Sequence, residues 1–109
     1  MIFIAVKFTA LVDERDNWLS RLEDFTVATR SEPGNVFFDW SYSVENPNEF
    51  VLLEAFADAA AGEAHVNSDH FKAAIETMSD MVADVPEIIN VEVDGAGWSR
   101  MAEVTPRER

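Results

Sequence analysis

Glu32-Pro33-Gly34, Phe37-Phe38-Asp39-Trp40, Glu45-Asn46-Pro47-Asn48, Phe50-Val51-Leu52-Leu53-Glu54 and His65-x-x-Ser68-x-His70-Phe71 follow one another between positions 32 and 71. The first of these stops a helix, because a residue before proline is pushed out of helical geometry and glycine frees the turn. The next segment, about Asn35 to Val44, puts Val36, Phe38, Trp40, Tyr42 and Val44 on one strand face. Asn46-Pro47-Asn48 supplies turn chemistry, and Glu49 to Ala57 returns as a second strand with Leu52, Glu54 and Phe56 sharing a face. Asp58 is placed to cap a short alanine-rich helix running to His65. Ser68 or Asp69 is placed to cap another, in which Phe71, Ala74, Ile75, Met78 and Val82 keep helical spacing. A hairpin followed by a broken helix is the centre of the fold.

The flanks complete the pattern. Ile2, Ile4, Val6 and Phe8 alternate with Phe3, Ala5, Lys7 and Thr9 as a first strand. Asp13 is the expected cap of a helix carrying Trp18, Leu22 and Phe25. Pro86 ends the last helix, and Glu87 to Val93 alternates as a final strand. The order β-α-β-β-α-β predicts an α+β, ferredoxin-like antiparallel sheet with its helices on one face. Residues 1–94 form that domain, and 95–109, which contain Trp98, form a tail placed to pack on a partner subunit. The sheet face away from the helices keeps many apolar residues. A second copy of the chain is the economical cover, giving a homodimeric α+β barrel.

Composition narrows the function classes. Eight basic residues against 21 acidic ones leave a net charge of −13. No basic patch exists to neutralise phosphates, so nucleic acid is not an expected partner, and an anionic membrane surface would repel the chain. No apolar run approaches the roughly 20 residues of a membrane span. Met1-Ile2-Phe3-Ile4-Ala5-Val6-Lys7 lacks the charge and cleavage pattern of a signal peptide, so a cytoplasmic location is expected. Without cysteine there is no disulfide, thiolate metal site or Cys nucleophile. Gly-x-Gly-x-x-Gly, P-loop and Gly-x-Ser-x-Gly motifs are missing as well.

Two histidines and a set of aromatics are what remains to do chemistry. His65 and His70 are five positions apart and would diverge on one continuous helix. The break at Asn67-Ser68 lets both rings reach one cavity, walled by Trp40, Phe56 and Phe71 with Tyr42 nearby. His70, at a helix start where the dipole disfavours imidazolium, is the first choice of general base, with His65 its companion. Structural roles compete for both rings, as core packing does for Phe38, Trp40 and Tyr42. Glu54 shares a face with Leu52 and Phe56 and needs a partner, through an inter-subunit hydrogen bond or an Arg. Helical metal-ligand pairs prefer spacings of three or four, so no bound metal is expected.

The stretches quoted at the outset, in that order across residues 2–93, resemble the antibiotic biosynthesis monooxygenase family. The most specific are Glu32-Pro33-Gly34, the Asn-Pro-Asn-x-Phe turn, Glu54 with Phe56, and His65-x-x-Ser68-x-His70-Phe71. The resemblance implies dimers packed sheet against sheet and a range of activities. These include oxygenation of quinols or polyketide phenols without metal or flavin, haem degradation, isomerisation of a small sugar-like signal, and members with no known activity. Haem-degrading members carry a histidine soon after a Phe-Lys stretch. Here Phe71-Lys72-Ala73-Ala74 leads to Ile75, and their first-strand asparagine has no equivalent between Ile2 and Ala10. The expected activity is therefore a cofactor-independent monooxygenase that binds a small aromatic substrate, a quinol or polycyclic phenol, and dioxygen. The substrate would be held by Trp40, Tyr42, Glu54, Phe56 and Phe71. The competing readings are an isomerase using the same histidines and a non-catalytic ligand-binding or stress-associated dimer.

Overall fold

The computed structural model describes residues 1–108; Arg109, the last position of the expected tail, lies outside them. Strand β1 spans Ile2–Thr9. A 3-10 turn at Val12–Asn17 follows, then helices α1 (Trp18–Arg21) and α2 (Glu23–Arg30). Strands β2 (Asn35–Tyr42) and β3 (Glu49–Phe56) form the hairpin. Helices α3 (Ala59–Val66) and α4 (Asp69–Ser79) and strand β4 (Glu87–Glu92) complete the chain. The four strands pair antiparallel in the order β2-β3-β1-β4, so the predicted ferredoxin-like fold is present. Among the described residues no helix is long and apolar enough to cross a membrane.

The register places Ile4 opposite Glu54, Val6 opposite Leu52 and Phe8 opposite Phe50. These side chains share one sheet face with Phe38 and Phe56, and on it Trp18, Leu22, Phe25, Ala74, Met78 and Met81 complete a buried core. The indole of Trp18 stacks on Phe50 with centroids 5.0 Å apart and planes 10° apart. Trp40 meets Trp18 edge-on at 5.9 Å, and its Nε1 donates to Thr26 Oγ1 at 3.0 Å. That indole is therefore held against α1 and α2. The opposite sheet face carries Phe3, Ala5, Val51, Leu53, Ile89 and Val91, with Ile89 62% exposed. Trp98 of the tail lies on this side of its own chain, 5.4 Å from Phe37.

The helical segment between β1 and β2 differs from expectation. Asp13 caps nothing: the segment starts from Leu11 without a side-chain bond, and Leu22, at φ −105°, separates α1 from α2. The apolar spacing of Trp18, Leu22 and Phe25 survives because burial constrains side chains, and the backbone bends to deliver them. The caps of the later helices are as expected. Asp58 Oδ1 accepts from Ala61 N at 2.8 Å, and Ser68 Oγ accepts from Phe71 N at 3.2 Å.

Gly34 has a different reason to be glycine from the one its turn position implies. Its φ is not positive, unlike those of Gly95 and Gly97. A Cβ built on it would overlap the side chain of Ala61 in α3, and its carbonyl accepts from Ala57 N at 2.8 Å. The loop after α2 thus lies directly against α3, and only a residue without a side chain permits that approach. Gly34→Ala should cost about 1–3 kcal/mol through overpacking, read as a lower denaturation midpoint at unchanged slope. A midpoint equal to wild type would show that the contact relaxes freely.

Candidate active site

The close approach at Gly34 sets Glu32 beside both histidines. Glu32 leaves α2 in a turn, with its amide bonded to Thr29 O at 3.0 Å. His65 comes from the last turn of α3 and His70 from the first turn of α4, with the chain bending at Asn67-Ser68 between them. Ser68 fixes that bend twice, because its Oγ also donates to His65 O at 2.6 Å. Glu32 Oε2 lies 2.8 Å from His65 Nδ1 and 2.5 Å from His70 Nε2. The two rings converge on one carboxylate oxygen. Side-chain exposure falls from 27% at His70 to 15% at Glu32 and 4% at His65, so the cluster runs inward from the surface.

Aromatic rings hold His65 in place. Its ring centroid lies 4.7 Å from Phe56, 5.2 Å from Phe71 and 5.8 Å from Phe25. With the Glu32 carboxylate accepting, hydrogen bonding assigns a proton to His65 Nδ1 and another to His70 Nε2. Nε2 of His65 is then a bare acceptor. It faces Glu54 Oε1 at 3.7 Å, beyond hydrogen-bond range. Burial lifts the Glu54 carboxyl to about 7, and the nearby Glu32 charge adds to the rise.

His65 and Glu54 border a cavity of about 280 Å³ whose walls include Phe25, Leu52, Phe71, Ile75 and Ile88. Phe56 borders an adjoining groove of about 340 Å³ on the α3 side of His65, with Ile4 and Asn90. A larger concavity, about 540 Å³, sits at the hairpin end around Arg15, Tyr42 and Phe50. It holds neither histidine nor buried carboxylate, so the smaller cavity is the candidate site.

The structure therefore gathers part of the expected set. His65, Glu54, Phe56 and Phe71 come together. His70 is bonded to Glu32 and does not border the cavity. Trp40 and Tyr42 are elsewhere, Trp40 committed to Trp18 and Thr26 and Tyr42 exposed at the sheet edge. They diverge because the cavity lies over the β1 and β4 side of the sheet, whereas β2 is the far edge strand. Glu54, expected to meet an inter-subunit partner or an Arg, faces an imidazole within this chain. The helix stop at Glu32 accounts for its sequence context without revealing its place beside the histidines. The signal available was the need of two nearby histidines for an acceptor, with Glu32 the carboxylate at a forced turn.

Glu54 makes stability depend on pH in a stated direction. Its carboxyl is raised in the folded chain, so between the unfolded value near 4.5 and about 7 the folded state holds the extra proton. The stabilisation from a neutral Glu54 is complete below that window and is lost as pH rises through it. The difference is on the order of 3 kcal/mol. Glu54→Gln should be less sensitive to pH than wild type between pH 5 and 8 and should gain on it at pH 8. Parallel melting curves for the two proteins would exclude the raised carboxyl.

Comparison with known proteins bears on the family and the fold. YcnE of Bacillus subtilis, which carries monooxygenase in its name, is 25% identical over 93 residues, spanning 85% of this chain and 98% of its own. An antibiotic biosynthesis monooxygenase structure from Deinococcus radiodurans superposes with a TM-score of 0.80 at 21% identity, covering 92% of this chain and 99% of that one. Rv0793 from Mycobacterium tuberculosis gives a TM-score of 0.79 at 21% identity, covering 88% and 98%. The family model for antibiotic biosynthesis monooxygenase matches residues 1–77, and the chain belongs to that family.

Proposed function

We propose that this chain is a cofactor-independent monooxygenase in which His65 takes a phenolic proton from a small quinol and dioxygen then oxidises the anion. The observation that carries this reading is the hydrogen bond from His65 Nδ1 to Glu32, which leaves Nε2 as an acceptor beside an apolar cavity. A carboxylate behind an imidazole fixes its tautomer and orientation, as in hydrolytic triads. A deprotonated hydroquinone reduces oxygen without help. In the overall reaction one oxygen atom enters the ring, the other leaves as water, and the substrate supplies all four electrons. The protein's part is a base, a pocket of matching shape and exclusion of water.

The cavity volume favours the smaller end of the substrate class. At about 280 Å³ it lies near the lower bound of ligand pockets, which suits a one- or two-ring quinol better than a polycyclic phenol. Glu54, titrating near neutrality, can donate to a ring oxygen or return a proton to a reduced oxygen species. His70 stands behind Glu32 as its second donor, so the role of base passes from His70 to His65.

A homodimer through the open sheet face belongs to the same proposal. Ile89 and Val91 sit exposed there beside Phe3, Leu53 and Val51, an apolar surface that a monomer would leave in water. Light scattering at micromolar concentration should give twice the 12.2 kDa chain mass. A stable species at the chain mass would refute the dimer. For the activity, oxygen uptake with one- and two-ring hydroquinones should fall about 10²–10⁴-fold in His65→Ala that remains folded by circular dichroism. Uptake near the wild-type rate would make His65 structural and turn the reading toward a ligand-binding protein.

A further inference from the structure

We propose that Glu32, His65 and His70 form a site for a borderline divalent transition-metal ion, Zn2+ being the type case, and that the bound ion switches the base off. Glu32 Oε2, His65 Nδ1 and His70 Nε2 all lie within 4.8 Å of one another. They come from three separate elements, which is why spacing along the helices did not reveal the set. Two imidazoles and one carboxylate are a donor set suited to zinc, with the fourth position left to water. His70 is the most exposed of the three, so an ion has an entry path from its side.

The present spacing is that of hydrogen bonds. A tetrahedral ion with bonds of about 2.0–2.1 Å needs donors about 3.3 Å apart, so Glu32 must withdraw slightly from both rings. Its side chain is partly exposed and stands on the short turn between α2 and β2, so a small retreat is open to it. The net charge of −13 concentrates cations at the surface and aids capture. Behind the ligands, Glu54 is already set opposite His65 Nε2, the carboxylate–histidine arrangement that commonly supports a ligating imidazole.

The switch follows from the tautomer. In the free protein the His65 proton sits on Nδ1 and Nε2 is the acceptor. An ion on Nδ1 needs that lone pair, so the proton must move to Nε2. Nε2 then donates toward Glu54 and cannot take a proton from substrate. Metal binding and proton abstraction use opposite nitrogens of one ring and exclude each other. The metal site rests on the cluster's geometry alone, while its effect on turnover rests on the proposed role of His65.

The test is calorimetric titration of metal-free protein with zinc chloride, alongside Glu32→Gln and His70→Ala variants shown to be folded. One ion per chain is expected, with affinity at least roughly tenfold weaker in each variant. Ring nitrogen spectra of the zinc form should show the His65 proton on Nε2, and quinol turnover should fall in step with occupancy. Weak binding of several ions, equal in all three proteins, would mean an adventitious ion only and would overturn the site. Stoichiometric binding with the proton still on Nδ1 would overturn the switch. Absence of quinol turnover before any metal is added would instead count against the monooxygenase reading, leaving the titration to decide the site.

Discussion

One carboxylate oxygen shared by two imidazoles organises the functional half of this molecule. Glu32 can reach His65 and His70 only because Gly34 lets the loop after α2 lie on Ala61, and because Ser68 turns the chain sharply between α3 and α4. Gly34 acts by lacking a side chain, and Ser68 acts through its hydroxyl. Their joint effect is electrostatic: two rings fixed in orientation, one with its free nitrogen at the edge of an apolar cavity.

The same arrangement explains why a second carboxylate is tolerated in the core. Glu54 is 7% exposed and lies close enough to Glu32 to feel its charge. A buried carboxylate without a cation is costly, and Arg30, the cation of α2, is spent on Phe38 O at 2.8 and 3.0 Å. The chain resolves the conflict by letting Glu54 keep its proton to near neutrality. In the proposed reaction, a proton held there beside an imidazole acceptor is the one exchanged with substrate. The stability lost on ionising Glu54 is thus the counterpart of the proton-transfer site proposed above.

The fold was legible in the sequence because its signals are local. Period-two alternation in Ile2–Thr9, the Asn46-Pro47-Asn48 turn and the caps at Asp58 and Ser68 each act within a few residues. The α1–α2 kink at Leu22 was not legible, since side-chain spacing is the same for a straight and a bent path. For the site, the histidine pair and its aromatic neighbours Phe56 and Phe71 could be read from position. Trp40 misled because a strand face continues along the whole sheet, and nothing local says which end of it the cavity occupies. Glu32 was hidden by distance: 33 residues separate it from His65, and its sequence context was fully explained by a turn.

The central claim is that Glu32 holds His65 as the Nδ1–H tautomer with Nε2 free. Long-range proton–nitrogen correlation spectra of the histidine rings, in metal-free protein at neutral pH, measure this directly. The account requires a protonated Nδ1 and an unprotonated Nε2 at His65, with that pattern disturbed in Glu32→Gln. A proton on Nε2 of His65 in the free protein, unchanged by loss of the Glu32 carboxylate, would contradict it.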